Sequence, residues 1–78
     1  MRRVPKENKS AICHALEDAL RLTRQYSDLI VLDYHGPEIT GNGEETVTAV
    51  FVNQGSVHIN VTADSGAAMI RDIMRALT

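Results

Sequence analysis

The chain has 78 residues, one cysteine and a formal net charge of −2 at pH 7, with 44% hydrophobic and 23% charged residues. This length suits a single domain, 1–78, and the composition is that of a globular protein. The single cysteine excludes an internal disulfide, and the negative charge balance excludes a general electrostatic attraction to nucleic acid or anionic lipid.

The first residues, Met1 to Lys6, are basic, and we expect residues 1–5 to form a flexible basic arm. No long apolar run follows them, so the sequence predicts neither a secretory signal nor a membrane span. Together with an unpaired cysteine, this favours a cytoplasmic location.

A first amphipathic helix is predicted from about Pro5 to Arg24, where apolar residues recur at steps of three and four. Proline suits a first helical position, and Ser10 is an alternative N-cap one turn later. Glu17 and Arg21 are four residues apart, so we expect them to form an ion pair on the solvent side of this helix.

A first strand is predicted over Ser27 to Tyr34, because Leu29 to Leu32 is a continuous apolar run of strand length. Gly36-Pro37 then interrupts regular structure, and Gly41 to Gly43 has easy access to positive φ. The segment 35–45 is therefore predicted to be a long loop.

The clearest element is a β-hairpin with strands Glu45–Asn53 and Ser56–Thr62, rich in β-branched residues or alternating in polarity. Its turn is centred on Gln54-Gly55, with the glycine in a left-handed conformation. A second amphipathic helix follows over about Asp64 to Leu77. The chain is thus predicted to be an α+β domain of order α-β-β-β-α, with two helices on one face of a three-stranded antiparallel sheet.

The length of the hairpin turn decides which residues lie on each face of the sheet. With a two-residue turn, the face turned towards the helices carries Val50, Val52, Val57, Ile59 and Val61. The outer face then carries Val47, Ala49 and Phe51 together with His58, Asn60 and Thr62, which is more apolar than a free surface requires. A three-residue loop with a bulge would swap the faces of the second hairpin strand.

Candidate chemical groups are few and scattered. His14, His35 and His58 fall on three different predicted elements, without the spacing of metal ligands. Cys13 fits a buried thiol better than a nucleophile. The carboxylates of the loop, Glu38, Glu44 and Glu45, fit solvating charges. We expect no catalytic constellation, no metal site and no cofactor.

The element order, the Gly36-Pro37 loop, the hairpin at Gln54-Gly55 and the alanine-rich second helix resemble the double-stranded-RNA-binding domain over most of the chain. The resemblance implies the same fold. In that family, lysines at the start of the second helix contact phosphates. The corresponding stretch here, 63–68, contains Asp64 and no lysine, so we expect the fold without the RNA-binding function.

The preferred hypothesis is a non-catalytic protein-interaction module that self-associates through its sheet, with Val47, Ala49, Phe51 and His58 as the contact. Its partner would be a second copy or another protein. One alternative is a weak or degenerate binder of double-stranded nucleic acid. Its possible phosphate contacts are Arg2, Arg3, Arg71 and Arg75. Another alternative is a small ligand-binding domain or enzyme with a pocket near the long loop.

Overall fold

The computed structural model describes residues 8–78, apart from the side chains of residues 38 and 39. The elements in chain order are α1 (Lys9–Arg21), β1 (Leu29–His35), α2 (Pro37–Thr40), β2 (Thr46–Phe51), β3 (Gly55–Asn60) and α3 (Gly66–Leu77). Because α2 is a single turn, the architecture is the predicted α-β-β-β-α. The predicted arm, 1–5, lies outside the described residues.

Helix α1 begins at neither of the two predicted starts. Asn8 is its N-cap, and its side chain accepts a hydrogen bond from the backbone N–H of Ala11 at 3.0 Å. The buried face carries Cys13, Glu17 and Leu20. This face therefore includes one acidic residue, Glu17.

The three strands form one antiparallel sheet in the order β1-β2-β3, so β1 and β3 are its two edges. A bulge interrupts β1 at Ile30, between the pairs Leu29–Phe51 and Val31–Val50. Part of the predicted long loop forms regular secondary structure, because His35 is the last residue of β1 and Pro37–Thr40 forms the single turn of α2.

The hairpin corrects the predicted faces of the sheet. Phe51 pairs with Gly55, so the loop holds three residues, 52–54, and Gly55 has a φ of 74°. This is the three-residue alternative, in which a left-handed glycine absorbs the bulge. Ala49 is therefore opposite Val57, and Val47 is opposite Ile59.

Consequently, three of the four predicted contact residues are in the core. Val47 and Ala49 are fully buried, and Phe51 is 7% exposed. Their assignment to the outer face was wrong, because one residue more in the turn reverses the pairing parity. His58 alone of the four is exposed.

Helix α3 starts at an N-cap serine, Ser65, whose side chain accepts a hydrogen bond from the N–H of Ala68 at 3.1 Å. Met69 and Ile73, one turn apart, are both fully buried. Each fully buried aliphatic side chain of this kind contributes about 1.5–3 kcal/mol to stability.

Both helices contribute to one core on the inner face of the sheet. The buried cluster comprises Cys13, Leu20, Tyr26, Leu29, Leu32, Val47, Ala49, Phe51, Ile59, Val61, Met69 and Ile73. The opposite face carries no helix among the described residues and is open to solvent. Within residues 8–78, no helix is both long and apolar enough to cross a membrane.

Candidate functional site: the edges and outer face of the sheet

The two edges of the sheet differ in how their backbone groups are satisfied. At β1, the backbone N–H of Leu32 donates to Oε1 of Glu17 at 2.9 Å, and a guanidinium N–H of Arg21 donates to the carbonyl of Ile30 at 2.9 Å. Glu17 and Arg21 also pair with each other at 2.9 Å. Side chains of α1 therefore occupy the edge of β1.

The ion pair was correctly predicted from its spacing, but its location was not. Glu17 is 7% exposed and faces the sheet instead of solvent. A signal was present in the sequence, because Glu17 stands in line with Cys13 and Leu20 at steps of four and three. A carboxylate inside an apolar stripe indicates a buried hydrogen-bond acceptor, since an unpartnered buried charge is too costly.

Among the described residues, the edge of β3 is free. The N–H of Val61 donates to the carbonyl of Glu45 at 2.9 Å, which fixes the alternation of bonds between β3 and β2. Because alternate residues of an antiparallel strand bond to the same neighbour, Ile59 and Val57 also direct their N–H and C=O groups towards β2. The residues that alternate with them direct these groups away from the sheet. These outward residues are Ser56, His58 and Asn60. Within residues 8–78, no group bonds to their outward backbone atoms.

The outer face of the sheet is polar at one end. A cross-strand row consists of Asp33, Thr48 and His58, and Nδ1 of His58 lies 3.2 Å from the hydroxyl oxygen of Thr48. The Nε2 atom of His35 lies 3.3 Å from the carboxylate of Asp33. Two histidines, His35 and His58, thus lie on this face of the sheet.

The end of the outer face near the hairpin turn is apolar. Val31 and Val50 are opposite each other and partly buried. Beyond them, the bulge residue Ile30 is 48% exposed and the turn residue Val52 is 66% exposed. This apolar patch is small, and most of the outer face is polar.

A second acidic residue also proved structural. Glu45 was predicted to be a solvating charge, but its side chain is 13% exposed and links three parts of the fold. Its Oε2 accepts from the ammonium of Lys9 at 2.8 Å and the hydroxyl of Tyr34 at 2.5 Å, and its Oε1 accepts from the N–H of Ala63 at 2.9 Å. The bonds from Lys9 and Tyr34 lower the pKa of Glu45 to about 2.

The cluster formed by Glu45 with Lys9, Tyr34 and Ala63 (the Glu45 cluster) also holds an unusual backbone conformation. Ala63 has a φ of 64°, a left-handed value that costs a residue with a Cβ about 1–2 kcal/mol. Because Glu45 binds the N–H of Ala63, the cluster fixes the connection between β3 and α3. Nothing in the local sequence around Glu45 indicates these long-range contacts.

Cys13 is fully buried, as predicted. Burial, reinforced by the nearby charges of Asp33 and Glu17, raises the pKa of its thiol to about 11. The thiol is therefore protonated at neutral pH and does not present a nucleophilic thiolate. In the part of the chain that the structure describes, no group of three or more His, Cys, Asp or Glu side chains could hold a metal ion.

The double-stranded-RNA-binding domain carries lysines at the start of its second helix. In this structure two acidic residues, Asp64 and Asp72, lie together at the corresponding place. The pKa of Asp64 is raised, first by a hydrogen bond with Asp72, then by desolvation and by the charge of Asp72. Arg71 lies beside this pair, with Nε 3.8 Å from Asp72, and Arg75 is exposed in the last turn. The other two predicted phosphate contacts, Arg2 and Arg3, lie outside the described residues.

Comparisons with known proteins return no match: neither a family model, nor a curated protein, nor a solved structure matches this chain. The observed topology is compatible with the double-stranded-RNA-binding fold implied by the sequence resemblance. In the part of the chain that the structure describes, the most distinctive feature of the site is the contrast between the β1 edge, which α1 side chains occupy, and the free edge of β3.

Proposed function

We propose that this chain is a non-catalytic protein-interaction module that self-associates by strand addition, with β3 of one copy pairing with β3 of a second. The observation that carries this proposal is the free backbone of Ser56, His58 and Asn60. Unpaired N–H and C=O groups in a row are a template for another strand. At β1 the N–H of Leu32 and the carbonyl of Ile30 are already bonded to the side chains of Glu17 and Arg21.

The composition of β3 supports self-pairing. The segment 55–62 contains no Asp, Glu, Lys, Arg or Pro, the residues that commonly protect a free edge. Two copies of this strand can therefore approach without charge repulsion and without a missing donor. The small size of the domain also favours association as a source of stability.

The pairing has a natural register. An antiparallel two-fold arrangement centred on His58 places it opposite the partner's His58, and Ser56 opposite the partner's Asn60. In this register every outward N–H and C=O of the three residues obtains a bond. The result is a continuous six-stranded sheet, made from two three-stranded sheets. Such an isologous contact is the commonest form of homodimer.

Edge pairing is favoured over stacking of the outer faces. Seven of the residues on that face are polar: Asp33, His35, Thr46, Thr48, Ser56, His58 and Asn60. Stacking would remove these groups from water without assigned partners. Edge pairing leaves them solvated and satisfies the backbone groups that are now open.

Sedimentation equilibrium over a wide concentration range tests the proposal with two variants. His58→Pro removes an outward N–H, and proline is tolerated on an edge where that N–H faces solvent. We expect a dimer for the wild type and a monomer for His58→Pro. Thr48→Lys is the matched control, because Thr48 shares the face and row of His58 but lies on the central strand. It should remain dimeric.

Three results would contradict the proposal: a wild type that is monomeric throughout, a dimeric His58→Pro variant, or dissociation by Thr48→Lys, which would indicate stacked faces. Circular dichroism establishes that each variant is folded. If His58→Pro does not fold, amide hydrogen exchange in the wild type as a function of protein concentration tests the same edge without any substitution.

A further inference from the structure

His58 is at the centre of the free edge of β3. Its side chain is exposed on the outer face of the sheet, and its backbone N–H and C=O groups point away from β2. In the proposed two-fold register the symmetry axis passes beside this residue, so it is opposite the partner's His58. Every change in the charge of His58 is therefore matched by the same change directly across the contact.

The two imidazoles are close neighbours in such a dimer. Directly opposed residues of an antiparallel pair have Cβ atoms about 4.5–5.5 Å apart, and their side chains lie on the same face. Two neutral rings can pack against each other there, whereas two like charges in directly opposed positions are destabilising. Histidine ordinarily changes its charge between about pH 5 and pH 8, so this arrangement is sensitive to pH in that range.

Contacts within the chain are compatible with both charge states of His58. Its Nδ1 atom lies 3.2 Å from the hydroxyl oxygen of Thr48. A hydroxyl can donate to the neutral ring or accept from the protonated ring, so this contact does not select one form. On the strand itself, the segment 55–62 contains no Asp, Glu, Lys or Arg.

Three other titratable side chains lie near the same face. Asp33 is in the row of His58 but on the far edge strand, and the Nε2 atom of His35 is 3.3 Å from its carboxylate. Glu44 reaches the amide of Asn60, at 3.5 Å, so a second copy brings its own Glu44 towards the contact. Because Asn60 is two positions from His58, about 7 Å along the strand, this carboxylate lies farther away than the opposing imidazole. Repulsion between the imidazoles therefore decides the sign of the effect.

We infer that pH regulates the self-association through His58: the dimer forms when the two imidazoles are neutral and weakens when both are protonated. This regulation rests on the proposed pairing of two β3 strands. In the monomer the His58 ring faces water and gains a proton without meeting a like charge, so acid favours the monomer. For two unit charges about 6 Å apart at a hydrated surface, the dissociation constant should rise roughly three- to tenfold.

Sedimentation equilibrium at about pH 7.5 and about pH 5 measures the effect, with EDTA in both buffers to remove metal ions that could bridge imidazoles. We expect the wild type to dissociate more readily at the lower pH. His58→Gln keeps the backbone N–H and stays neutral, so it should associate equally at both pH values. His35→Gln is the matched control: His35 lies on the same face but on β1, the opposite edge of the sheet, so the pH effect should persist.

A wild-type dimer that is equally stable at both pH values would overturn the inference but not the edge pairing. It would indicate a register in which His58 is opposite the partner's Ser56 or the partner's Asn60. A pH effect that persists in His58→Gln, or that is lost in His35→Gln, would also overturn the inference. A wild type that is monomeric at both pH values would contradict the edge pairing itself, and the regulation with it.

If His58→Gln does not fold or does not associate, NMR of the wild-type histidines decides the question. At about pH 6, raising the protein concentration should move the imidazole signals of His58 towards their positions in the neutral ring, because association releases protons. The signals of His14 and His35 should not move. Unchanged His58 signals in a sample that is dimeric by sedimentation would overturn the inference.

Discussion

The carboxylate of Glu17, buried on α1, accepts a hydrogen bond from the backbone N–H of Leu32 at 2.9 Å, and so occupies the edge of β1. A backbone donor that would otherwise be open to another strand is thereby satisfied within the chain. The same helix protects the neighbouring carbonyl of Ile30 through Arg21. The asymmetry of the sheet originates in this helix.

We expect Glu17→Ala to destabilise the fold by about 1–3 kcal/mol, because it leaves the N–H of Leu32 without its acceptor. Urea unfolding measures the change. Asp18→Ala is the matched control: Asp18 is exposed and also pairs with Arg21, at 3.0 Å, but does not contact β1. It should cost no more than about 0.5 kcal/mol. Equal effects of the two substitutions would contradict the role assigned to Glu17.

The corrected hairpin register makes a prediction about two adjacent residues. Phe51→Ala should cost about 3–5 kcal/mol, because it opens a cavity in the core. Val52→Ala, next to it on the exposed loop, should cost no more than about 0.5 kcal/mol. Chemical denaturation of both variants is the measurement. A larger loss of stability for Val52→Ala than for Phe51→Ala would indicate the two-residue turn, with Val52 facing the helices and Phe51 on the outer face.

Glu45 should make the stability depend on acid pH. Its pKa is about 2 in the folded protein against an ordinary 4.5, so its stabilising contribution is present above pH 4.5 and is lost as the pH falls towards 2. Glu45→Gln cannot titrate, so its stability should fall less between pH 5 and pH 2 (roughly the window of this shift). Urea unfolding at several pH values tests this, and identical slopes for both proteins would contradict it.

The carboxyl pair of Asp64 and Asp72 should give the stability of the fold the opposite dependence on pH. Because the pKa of Asp64 is raised in the folded protein, the stability associated with its protonated form is lost as the pH rises through that pKa. Asp72→Asn removes the neighbouring charge and should raise the melting temperature at pH 7. Asp28→Asn changes the net charge equally without touching this pair. A larger rise for Asp28→Asn would argue against the coupling.

The sequence was sufficient for the element order, because hydrophobic periodicity and β-branched runs are local signals. It was insufficient for the faces of the hairpin. A two- and a three-residue loop differ in whether Gly55 lies in the turn or pairs with Phe51, and a left-handed Gly55 fits both. Three of the four proposed contact residues were misplaced for that single reason.

The edges were also beyond local reasoning. The spacing of Glu17 and Arg21 predicts their ion pair but not its contact with Leu32 and Ile30, which depends on how α1 packs against β1. Likewise, the bonds from Glu45 to Lys9 and Ala63 join residues far apart in the chain. Free and occupied edges are properties of tertiary packing.

Amide hydrogen exchange as a function of protein concentration tests the central claim, self-association at β3, most directly. In dilute solution the outward amides of Ser56, His58 and Asn60 should exchange rapidly, and at high concentration they should be protected as the partner strand binds. The amides of Val57 and Ile59, bonded to β2, should be protected at both concentrations. Rapid exchange of the three outward amides at every concentration would contradict the claim.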